Sequence, residues 1–129
     1  MSGIVVDTSE WIEFLAGRSA SVLEHALAAG LVVVPPLVVA ELVSGARTVA
    51  DRGALADLLD DLMLHHTTFD HWVRVGSLRH SMRATGVIVS TPDAHVAQCA
   101  LDRDVPLLTR DGIFLRIAER TELRLAGTA

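Results

Sequence analysis

Four carboxylates stand where their neighbours give them little polar company. Asp7 ends the apolar run "GIVV", and Glu41 is the one charge in "PPLVVAELVSGA", residues 35–46. Asp93 follows Pro92 in "STPDAHVAQC", and Asp111 closes "VPLLTRD". An ionised carboxylate withdrawn from water is strongly destabilising unless a counter-charge or several hydrogen bonds meet it. Each position also has a local explanation. Asp7 can form a capping box with Glu10, Asp93 can complement a helix dipole, and "RDG" is an ordinary turn. Glu41 resists that treatment. On a helix its neighbours are Leu37, Val38, Leu42 and Gly45, which leave no wide polar face, so a counter-charge is expected to meet it.

The elements that must position these groups can be read from the chain. "GIVV" is a short buried strand, and "DTSEW" caps a helix directly after it. "SASVLEHALAAG" places Val22, Leu23, Ala26 and Leu27 on one helical face and stops at Gly30. "LVVV" is a second strand, followed by a helix with Pro36 in its first turn that runs to Gly45. "RGALADLLDDL" turns Leu55, Leu58, Leu59 and Leu62 inward and Asp57, Asp60 and Asp61 to solvent. "MLHHTTF" has strand character. "DHWVRVGSLRHSMRATG" reads as a long helix capped by Asp70 and ended by Gly86, and Thr91 caps the next helix ahead of Pro92. "VPLLT" is a buried strand, "RDGIFLRIAER" a turn and short helix, and "TELRLAG" a last strand. Strands that are continuous apolar runs and alternate with helices indicate a mainly parallel sheet covered on both faces, in one domain over residues 1–129.

In such a sheet Asp7 and Asp111 fall at the carboxyl ends of strands and Asp93 in the first turn of a helix, so they border one crevice, the usual ligand site of the architecture. Four carboxylates gathered there repel one another and raise each other's pKa unless a divalent cation holds them ionised. Oxygen donors without a matching His or Cys set select Mg²⁺, or Mn²⁺, over zinc. Such an ion suits phosphoryl chemistry: it lowers the pKa of a bound water, and two ions about 3.5–4 Å apart can stabilise the attacking and leaving oxygens. Neither lysine nor a histidine base is needed.

The segments "VVDTSEWIEFL", "VVAELVSGA", "PDAHVAQCAL" and "PLLTRDGIF" together resemble a PIN-domain ribonuclease of the VapC toxin type, over essentially the whole chain and with all four acidic positions in order. The resemblance implies a three-layer α/β/α domain, Mg²⁺-dependent hydrolysis of RNA phosphodiester bonds, a homodimer, and inhibition by a VapB-type antitoxin. By position it makes Asp7, Glu41, Asp93 and Asp111 the catalytic and metal-binding acids. It makes Ser9 and Thr109 the hydroxyl residues that orient ligands. In the pattern "TRDxDF" a further acid follows the fourth Asp by two places. Here that place is Ile113, which favours a single metal and keeps open a catalytically impaired binding or regulatory module as the alternative.

Arg79 and Arg83, one helical turn apart, and Arg110, beside Asp111, are candidates for phosphate contact, each with a structural alternative. His95 and Cys99, four residues apart, can face a soft metal, although no other His or Cys pair stands near them in sequence. His65 and His66 point to opposite faces of their strand. His25, His71 and His80 read as surface or satisfied polar residues, and Trp11 and Trp72 as core anchors.

Composition narrows the choices. A net charge of −5 argues against a non-specific cationic binder of nucleic acid, though not against a nucleic-acid substrate. All 11 basic residues are Arg. That absence of lysine argues against response-regulator receivers and haloacid-dehalogenase-type phosphatases, which gather carboxylates on a similar sheet but use a lysine near the phosphoryl group. The one cysteine fits a reducing cytoplasm, and the apolar runs are too short for a membrane span, which needs about 20 residues.

Overall fold

The computed structural model describes residues 3–18 and 20–127. Among them β1 (Ile4–Val6) leads through Asp7 into α1 (Thr8–Leu15), followed by α2 (Ser21–Ala28) and β2 (Val32–Val34). After β2 come α3 (Pro36–Gly45), α4 (Val49–Asp60) and the short β3 (Met63–Leu64). The chain closes with α5 (Phe69–Ala84), α6 (Thr91–Arg103), β4 (Leu107–Leu108) and α7 (Ile113–Ala118). Ser19, within the stretch expected to form the second helix, lies outside the described residues.

The strands form one parallel sheet in the order β3-β2-β1-β4. Every residue of β1, β2 and β4 is buried, as expected for strands sandwiched between helices. Only the edge strand β3 is exposed. α6 packs on β1, α5, α3 and α7, whereas α2 packs on β2, giving the α/β/α layering that the apolar strand runs implied. From β1 the chain moves to β2 on one side, and it returns through α6 to β4 on the other. That reversal opens a crevice at the carboxyl ends of β1 and β4, where Asp7 N–H donates to Leu108 O at 2.9 Å.

Some boundaries differ from expectation for local reasons. Thr68 rather than Asp70 caps α5, its Oγ1 accepting from His71 N–H at 3.2 Å. Ser90 rather than Thr91 caps α6, accepting from Asp93 N–H at 3.2 Å. In both segments several cap-competent residues adjoin, and the hydroxyl three places before a free N–H takes the role. The expected last strand shrinks to a single parallel bridge between Leu107 and Leu125. Upstream of it Thr121 Oγ1 accepts from Leu123 N–H at 3.2 Å, a local turn that competes with extension. Gly30 and Gly86, at φ +69° and +85°, sit where L side chains are strained, and they end α2 and α5 as expected.

Candidate functional site

At the crevice two strand ends are tied together through one carboxylate. Asp7 is buried, and both Ser9 Oγ and Thr109 Oγ1 donate to its Oδ2 at 2.9 Å. Ser9 Oγ in turn accepts from Arg110 N–H at 3.0 Å, and Thr109 Oγ1 accepts from Asp111 N–H at 3.0 Å. Asp111 Oδ1 accepts from Ile113 N–H at 3.1 Å, which fixes the turn ahead of α7. The residues after β1 and after β4 are thus one hydrogen-bonded unit, although they lie about a hundred positions apart in sequence. On the other flank Thr8 Oγ1 donates to Glu41 Oε1 at 2.9 Å, joining α1 to α3.

The fourth acid closes the set electrostatically. Burial, and then the negative charges of Asp111, Asp7 and Glu41, lift the Asp93 carboxyl above its ordinary value, against the lowering effect of its bond with Ser90. All four acids therefore share one field. They do not share one tight coordination shell: among the described residues, the three donors within 4.8 Å of one another are His65, His71 and Cys99, not three of these carboxylates. Hard oxygen donors held at wider spacing, with like charge to be offset, fit a cation that keeps part of its hydration shell, as Mg²⁺ does.

Several local expectations need correction. Glu41 is exposed, so no desolvation forces a counter-charge upon it; α3 is apolar toward Val38 and Leu42 but presents Ala40, Glu41, Ser44 and Gly45 to solvent. The capping box at Asp7 does not form. Asp7 makes no side-chain cap bond, and Glu10 turns inward and is fully buried. Its Oε1 lies 3.0 Å from Arg110 Nε in an ion pair without hydrogen-bond alignment. Arg79 donates from Nε to Val89 O at 2.9 Å and so braces the loop that enters α6. Arg83 is exposed, and Ile113 is half-buried against the core. Trp11 is a core anchor, while Trp72 is partly exposed and stacks on His95 with ring centroids 4.8 Å apart.

Sequence reasoning missed a second cluster. His65, His71, His95 and Cys99 are all buried, so His71 is not a surface residue, although its bonds to Asp102 and His95 do satisfy it. The signal was present in the helical phase: His71 falls in register with the buried Val75, Leu78 and Met82 on the inner face of α5. His71 Nδ1 lies 2.9 Å from Asp102 Oδ2, and its Nε2 lies 2.9 Å from His95 Nδ1. Leu37 N–H donates to His95 Nε2 at 3.5 Å. That last donor fixes the proton of a neutral His95 on Nδ1, so His95 donates to His71 Nε2 and His71 donates from Nδ1 to Asp102. Burial, and then the neighbouring rings of His71 and His65, push the His95 pKa down to about 4, which keeps His95 neutral at pH 7. Burial favours the neutral acid at Asp102, but bonds from Arg74, Gln98 and His71 outweigh it and hold the carboxyl at about 2.

Comparison with known proteins agrees with this architecture. The PIN domain family model matches residues 4–120. No curated protein matches the chain. Among solved structures, VapBC2 from Rickettsia felis bound to a promoter DNA fragment is similar, with TM-score 0.77 and 20% identity over 95% of this chain and 96% of that one. DNA-bound VapBC from Salmonella typhimurium has TM-score 0.75 and 21% identity, covering 100% of both chains. VapBC-5 from Mycobacterium tuberculosis has TM-score 0.71 and 23% identity over 97% of this chain and 98% of that one. With the family model spanning nearly all the described residues, the chain belongs to the PIN-domain family.

Proposed function

We propose that this protein is a Mg²⁺-dependent endoribonuclease of the VapC type, the toxin of a toxin–antitoxin pair, which hydrolyses RNA phosphodiester bonds at Asp7, Glu41, Asp93 and Asp111. The observation that carries the reading is the coupling of the four acids: Asp7 and Asp111 through Ser9 and Thr109, and Asp93 through the field of the other three. These four residues would hold Mg²⁺, or Mn²⁺ in its place. When bound, the ion supplies positive charge against the phosphate and lowers the pKa of water at the site.

The chain's own residues do the positioning. Ser9 and Thr109 both hold Asp7 Oδ2, which fixes the rotation of that carboxylate. Thr8 orients Glu41, and the cap at Ser90 with the Arg79 brace sets the start of α6, from which Asp93 projects. Arg110, half-exposed and ion-paired with Glu10, and the exposed Arg83 are the cations left for phosphate contact; the Nε of Arg79 is engaged by the backbone. Ile113 packs inward where a further acid would stand, which supports a single ion.

The partner is a VapB-type antitoxin and the active form a cytoplasmic homodimer. The similarity to the VapBC complexes supports the antitoxin, and among the described residues no helix is long and apolar enough to cross a membrane. Incubating RNA and Mg²⁺ with the wild-type protein, with Asp7→Asn, and with wild type plus excess chelator tests the reading. Cleavage lost in the last two samples supports it. Equal degradation in all three identifies a contaminating nuclease, and no cleavage in any of them favours the impaired module.

A further inference from the structure

We propose that the buried side-chain cluster between α5, α6 and the end of β3 is a second cation site, of opposite chemistry, in which His65, His71 and Cys99 bind a borderline transition-metal ion, Zn²⁺ being the natural occupant. The ligand atoms of these three residues all lie within 4.8 Å of one another, and all three residues are buried. They come from three separate segments, so the grouping is a product of the fold. His95 borders the group without completing it, its Nδ1 2.9 Å from His71 Nε2 and its Nε2 accepting from Leu37 N–H; water supplies the fourth position of a tetrahedral ion.

The surroundings are those of a built site. Asp102 accepts from His71 Nδ1, which turns Nε2 inward, the carboxylate–histidine arrangement that orients and strengthens a ligating imidazole. Asp102 is itself held by Gln98 Nε2 at 2.8 Å and Arg74 Nε at 2.9 Å. Nitrogen and sulfur donors select zinc-like ions and discriminate against the Mg²⁺ suited to the carboxylate crevice. Two existing bonds oppose binding. His71 Nε2 accepts from His95 Nδ1 at 2.9 Å and must release that bond to take an ion. Arg103 Nη1 lies 3.3 Å from His65 Nδ1, and a ring that ligates through one nitrogen carries its proton on the other, so this bond must be given up whichever nitrogen is used. Binding also takes the Cys99 thiol to the thiolate, with release of its proton to solvent.

Co²⁺ titration of the full-length protein tests the site, with far-UV circular dichroism as the check on folding. One equivalent is expected to give an intense sulfur-to-cobalt charge-transfer band with tetrahedral d–d bands, both bleached by Zn²⁺. Cys99→Ser removes the charge-transfer band, and Asp102→Asn keeps it but weakens affinity about 10- to 100-fold. His65→Gln weakens binding as well and serves if Cys99→Ser does not fold. Arg103→Met is expected to bind several-fold more tightly, and equal or weaker binding would place the ion elsewhere. Asp111→Asn leaves the spectrum unchanged, which separates this site from the carboxylate crevice. A folded wild-type protein that gives no charge-transfer band, or a band that survives in Cys99→Ser, overturns the proposal.

Discussion

Two faces of the helix α6 meet two kinds of polar cluster. At its first turn Asp93 enters a group of four acids that carry like charge, three of them outside the buried core. Two residues later His95 enters a buried group of three imidazoles and a thiol, in which His71 is bonded to His95 and to Asp102 and His65 to Arg103. The acid group is held apart and stays electrostatically unsatisfied. The imidazole group is drawn close, and there His71 and His95 satisfy each other. Like charges in partial contact with water separate until a cation offsets them, whereas buried ring nitrogens must find partners because each unmade hydrogen bond there is strongly unfavourable. The spacing of a cluster therefore reports how its charge is balanced, and not only which residues compose it.

Substitutions can break or sharpen this contrast. The largest effect is expected at the strand junction: Asp7→Asn should lower Mg²⁺-dependent RNA cleavage by at least about 100-fold, the usual scale for losing one preorganised charge contact in an active site. Retained cleavage in a gel assay would remove Asp7 from the chemistry. On the buried side, Asp102→Asn should destabilise the protein at pH 7 by roughly 1–2 kcal/mol, after discounting for partial solvent screening. The Asp102 pKa is depressed from 3.8 to about 2, so this stability is present above the unfolded value and is lost as pH falls through the folded one. Melting curves of the two proteins should therefore converge between about pH 4 and pH 2. A gap that persists in acid would show that packing, not charge, is responsible.

Smaller effects grade the hydroxyl ties. Thr109→Val removes one of two donors on Asp7 Oδ2 and should slow cleavage about tenfold, in line with one charge-assisted hydrogen bond. Full activity would make Thr109 dispensable. The smallest expected effect has the opposite sign. Asp93 binds its proton more tightly folded than unfolded, so its ionised form opposes folding at neutral pH, and that penalty fades as pH falls through the raised pKa. In chelator, Asp93→Asn should raise the melting temperature at pH 7, with a gain that shrinks in acid. A drop instead would mean that the four acids do not repel one another.

The helix periods, the apolar strand runs and the stops at Gly30 and Gly86 were legible because each is set by neighbours within a turn or two of chain. Asp7, Asp93 and Asp111 were legible for a related reason: each marks where an apolar strand or a helix start meets solvent in a parallel fold. Glu41 was singled out on an argument that the structure overturns. Its helix is less enclosed than its sequence suggests, because small residues leave one side open to the crevice.

What the sequence determined by itself was the parallel α/β/α architecture and the residues at the ends of its strands, since local periodicity and hydropathy dictate both. Only the tertiary structure decided that Thr109 would share an oxygen of Asp7, that Glu10 would be buried against Arg110, and that His65 and His71 would join His95 and Cys99. Those contacts depend on how helices dock across the sheet. Docking is governed by shape and burial summed over many distant residues, which no short window of sequence contains.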